Sequence, residues 1–442
     1  MSLAAEGGKG NVAKLGVLAA IVLTAGNMIG SGLYLLPATL GAYGSITILS
    51  WAIASGGALL LALVFGLLGV LRPTGDGVVA YAGQDLHPAL GHVSWFAYWL
   101  NCWVGTTAIA VAAVGYLAYF IPALAAPLPA LGAVLASIWI FTLANLVGPR
   151  LVAQIGGATL LLGLAPILLA IGVGVFAFDP HLFQASWNVS GKPDPAAMSL
   201  AVTPVFWAFL GLESANVAAR VIENPQRNLP IVAVGGVLLA AVVYMSASVA
   251  IMGLLPAKAL AASTAPFADA IAHIAGPLAA GLVAFCAFAK ASGSLGGWVL
   301  LTAETGRAGA QAGYLPKITT DAPGAPRRTR DILFAGALMS LASWASMSPT
   351  LGKQFSLLIN LSVMLSMVLY LLCALSLCRA ARDQGTAWGR MATLAVGLGG
   401  AGFTLWVMAT ADPSLRLPTV VAVGFSLGLW VVGQFKYSVK PA

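Results

Sequence analysis

Long apolar segments separated by short polar joints constrain the fold of this 442-residue chain more than any other feature. A helix needs about 20 mainly apolar residues to cross the roughly 30 Å hydrocarbon core of a bilayer. Hydrophobic residues make up 60% of the chain and charged residues only 8%, whereas soluble domains contain about 25% charged residues. We therefore predict an all-α integral membrane protein with twelve transmembrane helices. The predicted spans are 13–37, 45–70, 93–120, 128–147, 152–176, 199–220, 229–254, 276–303, 332–348, 356–378, 390–410 and 418–435.

The distribution of Lys and Arg predicts the orientation of these spans. If both termini are cytoplasmic, sixteen basic residues fall on the cytoplasmic side and four fall outside. This excess is the positive-inside pattern of a multi-pass protein in a plasma membrane. The basic residues follow the loops and do not cluster on one face, so the net charge of +8 indicates a lipid bilayer as partner and not nucleic acid.

The contents of the spans disfavour other classes of protein. The four cysteines lie within predicted spans and lack metal-ligand spacing, so we expect no disulfide framework, no metal centre and no cofactor. A membrane-embedded enzyme would need clustered ionisable groups, but the sequence has no HExxH motif and no paired aspartates in the spans. A passive channel stays an alternative, which electrical recording at a fixed gradient would separate from a transporter.

Two spans are interrupted by small residues at matching places. The first contains GNMIGSGLYLLP at 26–37, and the sixth, TPVFWAFLGLESANVAARV, contains Pro204 and Gly211. Gly211 lies 181 residues after Gly30, an offset of five spans, which is typical of inverted-repeat transporters. We predict a cytoplasmic tail at 1–12, repeats at 13–178 and 199–378, and two further helices within 388–437.

An interrupted membrane helix exposes backbone groups that can bind a charged ligand. A break leaves N–H groups free at the start of one half and carbonyl oxygens free at the end of the other, and the half-helix dipoles add partial charge of matching sign. The N–H groups of Ser31 and Gly32 suit a carboxylate, whereas carbonyl oxygens suit an ammonium group. The candidate carbonyl groups belong to Asn27, Met28, Trp207 and Leu210. Two facing breaks would therefore bind both charged ends of an α-amino acid.

Two charged residues fall in the spans proper, away from their ends, and such residues are functional candidates by default. Glu213 lies two residues after Gly211, where it either exchanges protons during transport or hydrogen-bonds the irregular backbone. Lys290 forms a stripe with Ser294 and Trp298, because residues four apart share a helix face. Its ammonium group either snorkels along the helix or supplies a fixed positive charge between the eighth span and the first break.

Five motifs in combination resemble the amino acid–polyamine–organocation superfamily. They are GNMIGSGLYLLPATL, PTGDGVVAYAGQDLHPALG, WFAYWLNCWVG, WAFLGLESANVAARVIENPQRNLPI and GSLGGWVLLTAETGRAGAQAGYLPK. From about residue 13 to the C-terminus, the chain resembles the basic amino acid/polyamine antiporter branch, the arginine/agmatine antiporters most and the putrescine/ornithine antiporters next. The resemblance implies a LeuT-like fold of five plus five inverted spans with discontinuous helices 1 and 6, alternating access, a bacterial inner-membrane location and a homodimer.

The resemblance also implies roles for individual side chains. Trp298 and Ser362 would contact the side chain of the substrate, a small molecule that is either an amino acid or an amine. Tyr98, Trp207 and Trp298 would act as gates. Glu213 would be the pH-sensing carboxylate that couples transport to protons.

Four positions depart from the pattern of this branch. Thr106 stands in place of an asparagine that helps to hold a guanidinium group, Ile109 replaces a methionine, and Asn101 stands where a small residue is expected. Asn101, Thr106 and the neighbouring Cys102 are candidate substrate contacts. Lys290 replaces a glycine, and a cation there would repel a dication by about 4 kcal/mol at a separation of about 4 Å if the effective dielectric constant is about 20.

We therefore expect a secondary active transporter that works without sodium. It would exchange a cationic amino acid, such as arginine or ornithine, for another amino acid or its decarboxylated amine. The alternative is a proton-coupled permease for neutral amino acids, in which Lys290 stands where a sodium-coupled relative would hold its cation. Lys290 and Glu213 are the candidate proton-coupling residues in either case.

Replacement of Ser31 by proline tests the backbone site. Ser31→Pro should abolish transport, because proline has no N–H to offer a carboxylate. Uptake of labelled amino acids into liposomes measures the effect, with Ser31→Ala, which keeps the N–H, as the matched control. Normal uptake by the proline variant would contradict the carboxylate site.

Overall fold

The computed structural model describes residues 14–73, 77–218, 222–316, 319–321 and 329–438. The predicted tail at 1–12 lies outside these residues. The regular secondary structure of the described residues is helical, apart from an isolated bridge between Leu15 and Ile222.

Seventeen helices run through the described residues, joined by short 3₁₀ turns. They are α1 (Val17–Met28), α2 (Leu36–Gly41), α3 (Thr47–Leu71), α4 (Tyr81–Asp85), α5 (Pro88–Ala118), α6 (Pro127–Val147), α7 (Pro149–Ala177), α8 (Pro180–Ala185), α9 (Asp194–Phe206), α10 (Ser214–Ala218), α11 (Pro225–Leu254), α12 (Ala257–Ala262), α13 (Pro266–Gln311), α14 (Thr329–Ala345), α15 (Leu351–Ala380), α16 (Ala387–Thr410) and α17 (Arg416–Ser438).

Ten helical segments of the described chain, counting α9 with α10, are long and apolar enough to cross a membrane. The protein is therefore a multi-pass membrane protein, as predicted. The other two of the twelve predicted spans coincide with α14, which has 17 residues, and with the first span, which is divided between α1 and α2. Both fall short of a full uninterrupted span, so the number twelve stays a prediction.

The predicted eighth span, 276–303, is only part of a longer helix. α13 starts at Pro266, bends at Gly276, where φ is 78°, and continues to Gln311. Beyond the predicted end, Arg307 forms an ion pair with Glu304 one turn before it. The two opposite charges compensate each other on the turns after residue 303. Hydrophobicity alone could not predict that the helix continues through these charged residues.

Both predicted interruptions are present in the structure. α1 ends at Met28, and a 3₁₀ turn at Ser31–Leu33 precedes α2. α9 ends at Phe206, and a 3₁₀ turn at Trp207–Phe209 precedes α10. Between them, Gly211 has φ of 98°, a left-handed conformation that residues with a Cβ rarely adopt.

The two breaks face one another. A Cβ added at Gly211 would have the carbonyl oxygen of Asn27 as its nearest neighbour, at 3.9 Å. The segment that follows the first break is held by Tyr116 on α5, whose hydroxyl donates to the carbonyl oxygen of Tyr34 at 2.8 Å. The rings of Tyr34 and Phe267 meet edge to face at 5.9 Å, so this segment is fixed to two neighbouring helices.

The helices pack in pairs that repeat with an offset of five predicted spans. α3 packs on α11, α5 on α13 and α6 on α14, and in each pair the second helix is the fifth span after the first. The same offset relates the pair α7–α13 to the pair α15–α5, and the pair α1–α11 to the pair α9–α3. This pattern supports an inverted repeat, which stays a prediction.

Gly211→Ala should destabilise the protein, because the left-handed conformation costs a residue with a Cβ roughly 1–2 kcal/mol. Thermal unfolding in detergent should therefore shift to lower temperature. Gly402→Ala is the matched control, since Gly402 is helical and a Cβ there meets nothing within 4 Å. An unchanged midpoint for Gly211→Ala would mean that the bend does not need glycine.

Candidate functional site

The end of α1 meets the start of α10 at the predicted ammonium site, where backbone carbonyl oxygens are the expected ligands. The Asn27 side-chain amide donates to the Ser214 hydroxyl at 3.5 Å, a bond at the upper limit of length. Asn27 is exposed, Gly211 and Leu210 are partly exposed, and Met28 is buried. The predicted ammonium site is therefore accessible from the side of the molecule on which α1 lies.

Trp207 covers the other side of the break. Its indole N–H donates to the carbonyl oxygen of Gly32 at 3.3 Å, and only 8% of the residue is exposed. A Cβ at Gly32 would lie 2.5 Å from the indole nitrogen, so the close approach of backbone and ring requires glycine. The ring also meets Phe355 of α15 edge to face at 6.4 Å. Trp207, which is the predicted gate, thus lies over the 3₁₀ turn at Ser31–Leu33.

Gly105 and Ser362 complete the enclosure around Trp207. A Cβ at Gly105 on α5 would lie 3.2 Å from Cη2 of the Trp207 ring and 3.4 Å from the Ser362 hydroxyl oxygen on α15. Ser362 is fully buried, and its hydroxyl has no hydrogen-bond partner among the described residues. The side-chain oxygen of Asn101, one turn from Gly105 on the same face of α5, is also without one, and Asn101 is 7% exposed. Ser362 and Asn101 therefore each hold a buried polar atom that is available to a ligand.

The remaining candidates on α5 differ in what they can offer. The Thr106 hydroxyl donates to the carbonyl oxygen of Cys102 at 2.5 Å, so its proton is used within its own helix. Cys102 is fully buried, and Tyr98, one turn before it on the same face, is partly exposed. Their contact with a ligand and the gating role of Tyr98 stay predictions.

Glu213 is hydrogen-bonded to a residue that the sequence did not single out. The Tyr370 hydroxyl of α15 donates to the Glu213 carboxylate at 2.7 Å, and Glu213 is 8% exposed. Tyr370 itself packs edge to face on Phe65 at 5.2 Å, so the donor is firmly placed. Among the described residues Glu213 forms no ion pair with Lys290. Its part in proton exchange stays a prediction.

Trp298 and Lys290 lie on α13, on the face predicted from their spacing. Lys290 is buried, whereas Ser294 and Trp298 are partly exposed. The described contacts join Trp207 to Gly32, α5 and α15, but do not include Trp298. A gating or substrate contact of Trp298 therefore stays a prediction.

Gly105, Phe355 and Tyr370 are the neighbours of the site that sequence reasoning missed. Each of them reaches the site through a partner that is distant in the sequence. Tyr370, for example, lies 157 residues from Glu213. A glycine in the middle of the third span was the only local signal, since an isolated Gly can mark a close approach.

Gly105→Val should weaken binding of the amino acids that the sequence predicts as ligands. The added methyl groups would press on Trp207 and Ser362, and overpacking of this kind costs about 1–3 kcal/mol, which corresponds to about 5- to 150-fold in affinity. Equilibrium binding of labelled amino acid measures the effect. Gly132→Val on α6, where a Cβ meets nothing within 4 Å, is the control, and equal affinities would exclude Gly105 from the site.

Comparison with known proteins agrees with this architecture. A family model described as amino acid permease matches residues 15–432. The cadaverine/lysine antiporter of Escherichia coli K12 is 37% identical over 376 residues, which cover 83% of each chain.

Two proteins named putrescine transporter PotE are also similar to the chain. The one from Escherichia coli K12 is 33% identical over 359 residues, covering 81% of this chain and 82% of the relative. The one from Haemophilus influenzae is 31% identical over 437 residues, covering 97% and 98%. The chain therefore belongs to the amino acid permease family, within the basic amino acid/polyamine antiporter branch of the amino acid–polyamine–organocation superfamily.

Proposed function

We propose that this protein is a secondary active transporter that exchanges a cationic amino acid for another amino acid or its decarboxylated amine, without sodium. The main support is the pair of facing breaks, with Gly211 directly opposite the carbonyl oxygen of Asn27. Two opposed helix ends supply backbone donors and backbone acceptors at one place, which is what an α-amino acid requires. The names of the relatives, a cadaverine/lysine antiporter and a putrescine transporter, support the same class of substrate.

The substrate head would bind between the breaks. Its carboxylate would accept hydrogen bonds from the N–H groups of Ser31 and Gly32, in the 3₁₀ turn that follows α1. Its ammonium group would donate to backbone carbonyl oxygens at the breaks. These carbonyl oxygens belong to Asn27, Met28, Trp207 and Leu210. Its side chain would then extend past Trp207 towards α5 and α15.

The contacts of Trp207 support alternating access. Trp207 closes the site against Gly32, α5 and α15, while Asn27 stays exposed on the side of α1. With both termini in the cytoplasm of a bacterium, this arrangement is open towards the inside and closed towards the outside. Movement of Trp207, and of the candidate gates Tyr98 and Trp298, would reverse it, through relative motion of the two five-helix repeats, 13–178 and 199–378.

A proton-coupled permease for neutral amino acids is the second candidate. Lys290 favours it, because among the described residues this buried amine has no carboxylate partner and could take the place of a transported cation. In that case proton movement through Lys290 and Glu213 would drive uptake. A homodimer formed in the bilayer is compatible with either candidate.

Counterflow in liposomes tests the proposal. Vesicles containing the purified protein would be loaded with one amino acid or amine and assayed for uptake of another, at acidic and neutral pH, with and without sodium. We expect uptake of cationic amino acids that needs a substrate inside and does not change with sodium. Accumulation in empty vesicles driven by a pH gradient alone would favour the proton-coupled permease, and current without exchange would indicate a channel.

A further inference from the structure

The Lys290 side chain packs against a glycine of a neighbouring helix. A Cβ at Gly163 on α7 would collide with Cγ and Cδ of Lys290, so the lysine stem lies directly on the glycine backbone. Only 8% of Lys290 is exposed. The lysine side chain is thus fitted into a groove between α7 and α13 that any residue other than glycine at 163 would fill.

Snorkelling does not account for this lysine. It lies 13 residues before the end of the predicted span 276–303 and 14 after its start, which corresponds to about 20 Å of helix in each direction. A lysine side chain cannot reach either interface across that length. The lysine therefore lies well inside the predicted span.

The surroundings of Lys290 lack a counter-charge within the described residues. Apart from Lys290, the charged residues of α7 and α13 are near the helix ends: Arg150, Asp269, Glu304 and Arg307. No carboxylate of the described chain pairs with Lys290. A buried charge without a partner is costly. An anionic group of a ligand would offset this cost by pairing with Lys290.

Lys290 lies on the side of the site where the carboxylate is expected. The Tyr34 hydroxyl donates to the carbonyl oxygen of Gly163 at 2.5 Å and would lie 3.0 Å from a Cβ at Gly163, beside the lysine stem. Tyr34 directly follows the 3₁₀ turn at Ser31–Leu33, and α13 packs on that turn. Glu213, by contrast, is bonded to Tyr370 on α15. The positive and negative side chains are therefore held by different helices.

We propose that Lys290 is the fixed counter-charge for the carboxylate of the substrate, so that the transporter prefers amino acids to the diamines formed from them by decarboxylation. This inference rests on the proposed function and narrows its substrate class. The charge acts behind the turn at Ser31–Leu33 and adds to the field of its N–H groups. A diamine has no carboxylate and would place a second positive charge in that field, which opposes its binding.

Competition between matched pairs of ligands tests the inference. Each pair differs only in the carboxylate: lysine and cadaverine, ornithine and putrescine, arginine and agmatine, leucine and isoamylamine. Proteoliposomes exchanging a labelled amino acid would be challenged with each member, and the ratio of half-inhibitory concentrations, amine over amino acid, is the readout. We expect the wild-type ratio to exceed about tenfold, which corresponds to about 1.4 kcal/mol.

Variants at two positions separate charge from packing. Lys290→Met keeps most of the length of the side chain and removes its charge, so the ratio should fall several-fold, mainly through weaker binding of the amino acid, while the N–H groups of Ser31 and Gly32 retain a smaller preference. Lys290→Arg should retain the preference. Gly163→Ala displaces the lysine stem without removing the charge and should lower the ratio in part. Lys258→Met, at an exposed position of α12, is the control and should leave the ratio unchanged.

The outcomes distinguish failure of this inference from failure of the proposed function. If wild-type protein exchanges neither amino acids nor amines, the proposed function is wrong. If it exchanges both with equal affinity, the function stands and the role of Lys290 is wrong. An unchanged ratio in Lys290→Met would also overturn that role. If this variant does not fold, the ratios measured for the wild type and for Gly163→Ala decide whether Lys290 is the counter-charge: equal ratios would overturn its role.

Discussion

The hydrogen-bonding groups of the backbone are the constraint on which this structure depends, because hydrocarbon offers them no partner. α1 and α9 nevertheless end within the apolar part of the chain, at Met28 and Phe206. Each break is tolerated because the other encloses it: Gly211 faces the carbonyl oxygen of Asn27, and the Trp207 indole bonds the carbonyl oxygen of Gly32. The same enclosure keeps lipid out and leaves the backbone groups for a polar ligand.

The spans and the breaks could be predicted from the sequence because both are local properties. A run of apolar residues sets the length of a helix, and glycines within such a run, as around Gly30 and at Gly211, mark where it stops. The partners of the site could not be predicted in this way. Tyr370 hydrogen-bonds Glu213, and Gly105 lies beside Trp207 and Ser362, only because α5 and α9 both pack on α15. Only the resemblance to a known family indicated Ser362 in advance.

The distribution of charge inside the membrane follows from the same packing. Lys290 is fitted over Gly163 beside Tyr34, whereas Glu213 is bonded to Tyr370 on another helix. The two side chains do not neutralise each other within the described chain. A scaffold shared with relatives named for cadaverine, lysine and putrescine thus has a charge pattern suited to a molecule that carries both signs.

The most direct test of the central claim is an experimental density map of the protein with a bound amino acid, such as lysine. We expect the carboxylate within hydrogen-bonding distance of the N–H groups of Ser31 and Gly32, and the α-ammonium group at the carbonyl oxygens of Asn27 and Leu210. A ligand bound elsewhere, or helices running without interruption through Gly30 and Gly211, would contradict it.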